Sequence, residues 1–281
     1  MRVFAPAKVN LSLHVVGRRD DGYHLLDSLV VFVGVGDWLD LAPATGTPEV
    51  RLSVTGPRAA GVPADRGNLV WRAVGAFAQR SGVAITLEKH LPHAGGIGGG
   101  SADAGAAIRG LARMWGAPLP DRETLLAIGA DTPVCVAAAP ARMRGIGERL
   151  DPVPPLPPLW ALLVNPGVPV PTGPVFEALA TVGNAPMPEP SWSDEASLLS
   201  WLSGTRNDLE PPAIGLVPEV GAVLDMLRGQ PGCRLARMSG SGGTCFGLFG
   251  TAASAKAAAS AIAARQPAWW TAVAPILNAP P

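Results

Sequence analysis

The chain has 281 residues, enough for one large domain or two ordinary ones with a full hydrophobic core. Its 22 basic and 22 acidic side chains cancel, which excludes a strong net field as the means of holding nucleic acid or an anionic membrane. With 48% hydrophobic residues, a globular chain is expected rather than a disordered one.

Cys135, Cys233 and Cys245 form no Cys-x-x-Cys pair, and the four histidines are scattered. Reduced thiols and no structural metal follow as the expectation. No apolar run nears 18 residues, and Lys8 and Asn10 interrupt the apolar N-terminal stretch. Neither a membrane span nor a signal peptide is predicted, so the expected place is the cytoplasm. Oligomeric state leaves no mark in the sequence.

Val9, Leu11, Leu13 and Val15 alternate with Asn10, Ser12, His14 and Val16, predicting a half-buried first strand. Lys8 and Asn10 then share the opposite face, which reads most simply as solvated. A charged turn, Arg18-Arg19-Asp20-Asp21-Gly22, leads to Tyr23, the only tyrosine, and His24. Such a pair either caps a core edge or offers a flat face and polar tips to a heterocycle. Apolar strands are predicted over 29–35 and 50–54, and Asn68 precedes a helix.

Val83, Ile85 and Leu87 alternate as a further strand. After it comes Pro92-His93-Ala94-Gly95-Gly96-Ile97-Gly98-Gly99-Gly100-Ser101-Ala102-Asp103-Ala104, in which five of the nine residues from Gly95 to Asp103 are glycine. Ser101 is the expected N-cap of a helix whose one face carries Ala104, Ile108, Leu111 and Trp115. A strand, a glycine loop and a helix N-terminus aim free N–H groups at one place, which suits a phosphate. The loop is not a Walker A loop, because Ser101 stands where lysine belongs, and it lacks the third glycine of the dinucleotide fingerprint. A purely structural glycine turn is the plain alternative.

A second helix is predicted from Asp121 to Ile128. Pro133 biases Thr132 toward extended geometry, which places Asp131 at a helix-to-strand junction, where Asp is often only a turn residue. Five prolines in the eight residues 151–158 mark the expected boundary between a domain at 1–151 and another at 159–281. In the second half a strand is predicted at 159–164, a short helix around Val175 and Phe176, and a surface loop at 186–190. Helices at 195–202 and 218–227 come next, then strands at 234–238 and 244–249 joined by Ser239-Gly240-Ser241-Gly242-Gly243. An alanine-rich helix at 251–265 and a strand at 271–276 follow.

Three segments in this order resemble the superfamily of galactokinase, homoserine kinase, mevalonate kinase and phosphomevalonate kinase. They are Pro6-Ala7-Lys8-Val9-Asn10-Leu11, the stretch from Pro92 to Ser101, and Met238-Ser239-Gly240-Ser241-Gly242. Further stretches are similar to the branch of that superfamily acting on a cytidine-diphosphate-linked methylerythritol in the non-mevalonate isoprenoid route. These are Gly17 to His24, Gly129-Ala130-Asp131-Thr132-Pro133-Val134, Gly145-Ile146-Gly147-Glu148 and Arg206-Asn207-Asp208-Leu209-Glu210.

The resemblance implies an α+β kinase fold of two subdomains with the active site in the cleft between them. It implies ATP and Mg²⁺ as cofactors and transfer of a phosphoryl group to the 2-hydroxyl of the methylerythritol unit. Asp131 is then the base and Lys8 its catalytic neighbour. Pro92, His93, Ala94, Gly95, Gly96, Ile97, Gly98, Gly99, Gly100, Ser101 and Ala102 would wrap the ATP phosphates, with Asn68 near the adenine and Ser101 a metal ligand. Asn10 and Thr172 would meet the substrate, and Tyr23, His24 and Phe176 would grip its cytosine. The sequence departs from the family pattern at His93-Ala94, at Ala102 and at Ala137-Ala138-Ala139-Pro140. A kinase for another small alcohol, of homoserine or mevalonate type, is the nearer rival reading, and the Tyr23–His24 pair argues against it. A nucleotide-binding sensor without catalysis is the other.

Overall fold

The computed structural model describes residues 1–45, 50–78, 82–93 and 95–281. The first half comprises β1 (Arg2–Arg18), β2 (His24–Pro43), β3 (Val50–Thr55), α1 (Leu69–Gly75), β4 (Val83–Glu88), α2 (Gly99–Trp115), α3 (Arg122–Ile128), α4 (Thr132–Ala137), β5 (Ala141–Gly145) and β6 (Arg149–Asp151). The second comprises β7 (Trp160–Asn165), α5 (Thr172–Glu177), α6 (Glu195–Ser203), α7 (Glu210–Leu216), α8 (Pro218–Arg228), β8 (Leu235–Met238), β9 (Cys245–Phe249), α9 (Ala252–Arg265) and β10 (Trp270–Leu277).

β1 and β2 form a long antiparallel hairpin with register shifts at Pro6/Ala7, Asn10/Ser12 and Val15/Gly17. β3 and β4 pair in parallel, and β4 runs antiparallel along β2. The main path of the sheet is β3-β4-β2-β10-β7-β9-β8, so β10 joins the strands of the two halves through Ile276↔Val33 and Leu277↔Phe32. α2 packs its Ala104, Ile108 and Leu111 face into the core of the first half, as its spacing predicts. Its glycines let it lie close: a Cβ on Gly105 would come 2.5 Å from the carbonyl oxygen of Cys135 at the end of α4.

Two expectations fail, each for a structural reason. β1 is not half-buried, since Asn10, Ser12 and His14 are as buried as their apolar neighbours. The second half of the chain covers their face and supplies partners: Ser239 for Asn10, Met187 for Ser12, and Ala185 with Arg206 for His14. The stretch 186–190 is a surface loop, as expected, but one residue of it is anchored inside. Met187 is buried, its N–H donates to Asp27 and its carbonyl accepts from Arg142, which itself holds Asp27 through two hydrogen bonds. Alternation in one segment cannot report cover supplied by another.

The second failed expectation concerns Asp131, which precedes a helix rather than a strand. Pro133 falls in the first turn of α4, where a missing N–H is harmless, so it starts the helix instead of breaking it. α4 ends on Ala138 with φ 48°, the one non-glycine residue at positive φ among those described. It lies within the 137–140 departure from the family pattern, and a β-carbon there strains the backbone by roughly 1–2 kcal/mol.

Candidate active site

β1 carries Lys8 and Asn10 side by side on its covered face, and the turn between α3 and α4 brings Asp131 to them. Lys8 Nζ donates to Asp131 Oδ2 at 2.8 Å and to Asn10 Oδ1 at 3.0 Å. Lys8 is buried, while the Asp131 side chain keeps 29% exposure and stays open to a ligand.

The glycine loop lies directly over this pair. The Lys8 backbone N–H donates to the Ile97 carbonyl, and Gly98, at φ 62°, lies so close to the Lys8 side chain that a Cβ would meet Cε at 3.1 Å. Gly98 is therefore the N-cap of α2, not Ser101. The sequence favours Ser101 because serine caps well, but only a residue tolerant of left-handed backbone fits over Lys8. Ser101 thus lies inside the first turn of α2 and lines the open site.

The loop between β8 and β9 closes the arrangement from the other half. Ser239 Oγ accepts from the Asn10 N–H and donates to the Gly96 carbonyl, and the Thr244 N–H donates to the Gly95 carbonyl. Asn207 Nδ2 holds the same loop through the carbonyls of Met238 and Gly240. All three segments singled out by the sequence therefore meet at one point.

Two cavities open there. The larger, about 700 Å³, is lined by Lys8, Asn10, Asp131, Tyr23, His24 and Phe176 among others. The smaller, about 390 Å³, is lined by Asn68, Pro92, His93, Lys89, Asp103 and the glycines from Gly95 to Gly100. Ser101, Thr172 and Ser241 line both, and the Thr172 and Ser241 hydroxyls are 2.9 Å apart.

The side chains of Ile97 and Ala102 turn into the core, so these positions offer only backbone to a ligand. Ala94 lies outside the described residues. Asn68 caps α1, accepting from the Val70 N–H while its amide donates to Pro63. His24 stacks directly on Phe176, centroids 4.8 Å apart at 27°, and Tyr23 is exposed at the rim. Burial, then the nearby Arg18, pushes the His24 pKa below its ordinary 6.5, which keeps the ring neutral.

Lys89, Asp37 and Asp103 form a buried cluster beneath the smaller cavity that the sequence reading does not single out. The Lys89 ammonium contacts Asp37 Oδ2 and, at 2.7 Å, Asp103 Oδ2, while Asp103 Oδ1 has no partner. The available signal is a lone Asp within the alanine- and glycine-rich first turns of α2. Burial pushes the Asp103 carboxyl up to about 8, against the opposing pull of Lys89, so at neutral pH the cluster retains a proton. The unfolded chain, with this carboxyl near 3.8, has lost that proton. Stability conferred here is therefore full at low pH and declines as pH rises toward about 8. Melting curves from pH 5 to 8 are expected to show a falling Tm in the wild type and a flatter profile in Asp103→Asn. Parallel profiles would refute the assignment.

The residues 68–141 match the family model for the N-terminal domain of GHMP kinases, and residues 190–268 match that for the C-terminal domain. The chain belongs to the GHMP kinase family.

Among the relatives of this GHMP kinase is 4-diphosphocytidyl-2-C-methyl-D-erythritol kinase of Jannaschia sp. (strain CCS1). It is 58% identical over 278 residues, covering 99% of this chain and 98% of the relative. The enzyme of the same name from Paramagnetospirillum magneticum is 53% identical, covering 98% of each chain. A crystal structure of 4-(cytidine 5'-diphospho)-2C-methyl-D-erythritol kinase superposes with a TM-score of 0.77 at 36% identity, over 98% of this chain and 99% of that one. Homoserine kinase from Cytophaga hutchinsonii shares the fold, with a TM-score of 0.69 at 18% identity over 100% and 95% of the two chains. No helix among the described residues is long and apolar enough to cross a membrane.

Proposed function

We propose that the protein is the ATP-dependent kinase that phosphorylates the 2-hydroxyl of 4-diphosphocytidyl-2-C-methyl-D-erythritol, a step toward isoprenoid precursors. The observation that carries the site assignment is the Lys8–Asp131 pair, placed in the larger cavity where Ser101, Thr172 and Ser241 join it to the smaller one. ATP occupies the smaller cavity, its phosphates against the glycine loop and its base toward Asn68. The cytidyl substrate occupies the larger, its reacting end at Asp131 and Asn10. The two halves share the work: 1–151 supplies the nucleotide loop with Asn10, Tyr23, His24 and Asp131, and 159–281 supplies Thr172, Phe176 and the Ser239–Thr244 loop.

An alcohol is a poor nucleophile at neutral pH. Asp131 takes the proton of the 2-hydroxyl as that oxygen forms its bond to the γ-phosphorus, and the bond from phosphorus to the bridging oxygen of ADP breaks. Lys8 stabilises the charge on Asp131 and on the oxygens of the transferring group. No cage of three or more acidic, His or Cys side chains exists among the described residues. Ser101, at the junction of the two cavities, is the residue that would hold Mg²⁺, an ion that takes one or two protein ligands and otherwise phosphate oxygens and water. Bound there, Mg²⁺ neutralises charge on the β- and γ-phosphates.

Cytosine takes the place of His24 on the Phe176 face, with Tyr23 swinging in from the rim and the neutral His24 reading the polar edge of the base. Protonation would remove the acceptor nitrogen of His24. KM for the cytidyl substrate is therefore expected to stay level down to about pH 6.5 and to rise only well below it, with KM for ATP unmoved. A rise shared by both substrates would count against this role.

The test is ATP consumption by the purified protein with Mg²⁺ and the cytidyl alcohol, beside homoserine and mevalonate. Turnover with the cytidyl substrate alone is the expected result. Turnover only with an alcohol lacking cytidine would overturn the reading.

A further inference from the structure

The catalytic ammonium is aimed by an amide whose orientation a second buried residue fixes. Asn10 Oδ1 accepts from Lys8 Nζ at 3.0 Å, and Asn10 Nδ2 donates to Ser28 Oγ at 2.7 Å. An asparagine amide has nearly the same shape either way round, so its neighbours decide which end faces the lysine. Lys8, which can only donate, and Ser28 make that decision together, and Ser28 anchors the far end. Its hydroxyl proton is committed to the Ser12 carbonyl at 2.6 Å, because a carbonyl can only accept. Ser28 Oγ can then only accept from Asn10, which turns the amide nitrogen toward Ser28 and the amide oxygen toward Lys8.

The backbone provides for this contact. The register of β1 on β2 shifts between Asn10, opposite Val30, and Ser12, opposite Leu29, leaving Leu11 as the extra residue. The shift brings Ser28 beside Asn10, and Ser12 Oγ accepts the Leu29 N–H across the irregularity. Lys8, Asn10, Ser12 and Ser28 are all buried, so no bulk water replaces a lost partner.

We infer that Ser28 is a positioning residue for phosphoryl transfer: it holds the Asn10 amide in the orientation that steers the Lys8 ammonium. Two of the three ammonium protons then serve Asn10 and Asp131, and the third remains for the transferring group. With the hydroxyl gone, Asn10 Nδ2 is left buried without its acceptor, the amide loses one of its two anchors and shifts, and the ammonium it steers moves with it. The inference rests on the kinase reading above.

The experiment compares the wild type with Ser28→Ala and Ser28→Thr, measuring kcat, both KM values and Tm. Ser28 lines neither cavity, so Ser28→Ala is expected to lose roughly 10- to 100-fold in kcat with both KM values within about twofold. Ser28→Thr keeps the hydroxyl and is expected to recover most of the rate. In an Asn10→Ala background, Ser28→Ala should change kcat little further, because both act through one amide. If Ser28→Ala does not fold, Ser28→Cys, of similar shape but a weak acceptor, carries the same expectation.

A normal kcat in Ser28→Ala with only a lowered Tm would overturn the inference. So would losses that multiply in the double variant, or a Thr variant as slow as Ala. Absence of turnover in the wild type would instead bring down the functional reading, and this inference with it.

Discussion

Asp131→Asn is expected to lower kcat by about 10²–10⁴-fold while leaving ATP bound. Asparagine keeps the size and shape of the side chain but can neither take the hydroxyl proton nor carry charge opposite Lys8. Asp131 lines the larger cavity and not the smaller, so the nucleotide keeps its contacts. Single-turnover phosphoryl transfer and equilibrium titration with a non-hydrolysable ATP analogue separate these two effects. A fall in ATP affinity as large as the fall in kcat would mean that Asp131 serves the nucleotide instead of the alcohol. Retained kcat would exclude it as the base.

Gly96→Ala is expected to damage both the nucleotide site and the fold. Gly96 sits at φ 71°, and a Cβ there would come 2.5 Å from the carbonyl oxygens of both Ser239 and Gly242. The reverse contact is as tight: a Cβ on Gly240 would come 2.7 Å from the Gly96 oxygen. Two loops remote in sequence thus meet backbone to backbone, and neither can yield without pulling on Asn10 through Ser239. Left-handed strain and overpacking together are worth about 3 kcal/mol, which corresponds to a Tm loss on the order of 10 °C, with ATP affinity reduced at least tenfold. Gly100→Ala is the control. Its Cβ would find only the Leu69 side chain at 3.7 Å, so its Tm should hold. Equal Tm values for the two variants would refute the packing argument.

The comparison of these two glycines shows how far the sequence could be read. The glycine run announces close backbone approach but not what approaches. All of its members line the smaller cavity, but Gly96 also packs on the β8–β9 loop and Gly98 on Lys8. Segments with a strong local period were legible: β4, the body of α2, the β8–β9 pair and the helix starts near Asn68, Asp121 and Thr251, which the structure shows to be caps. What stayed hidden depends on remote partners. The covered polar face of β1, the anchoring of Met187, and the Asp37–Lys89–Asp103 cluster each join residues far apart in the chain. Lys8 and Asp131 were named through the resemblance to the kinase superfamily, and it is the fold that brings them to 2.8 Å.

The position of β10 bears on how the chain is made. Its residues come late in the sequence, yet it lies between β2 and β7 in the middle of the sheet path. While the chain emerges during synthesis, β7 waits with an open edge and β2 with a gap at Phe32–Val33 between its pairings to β5 and β4, and the partner that closes both arrives after every other strand. Closure is then a late, long-range step, slow by topology and exposed to pairing between neighbouring chains. The edge of β7 is covered only when this strand is in place.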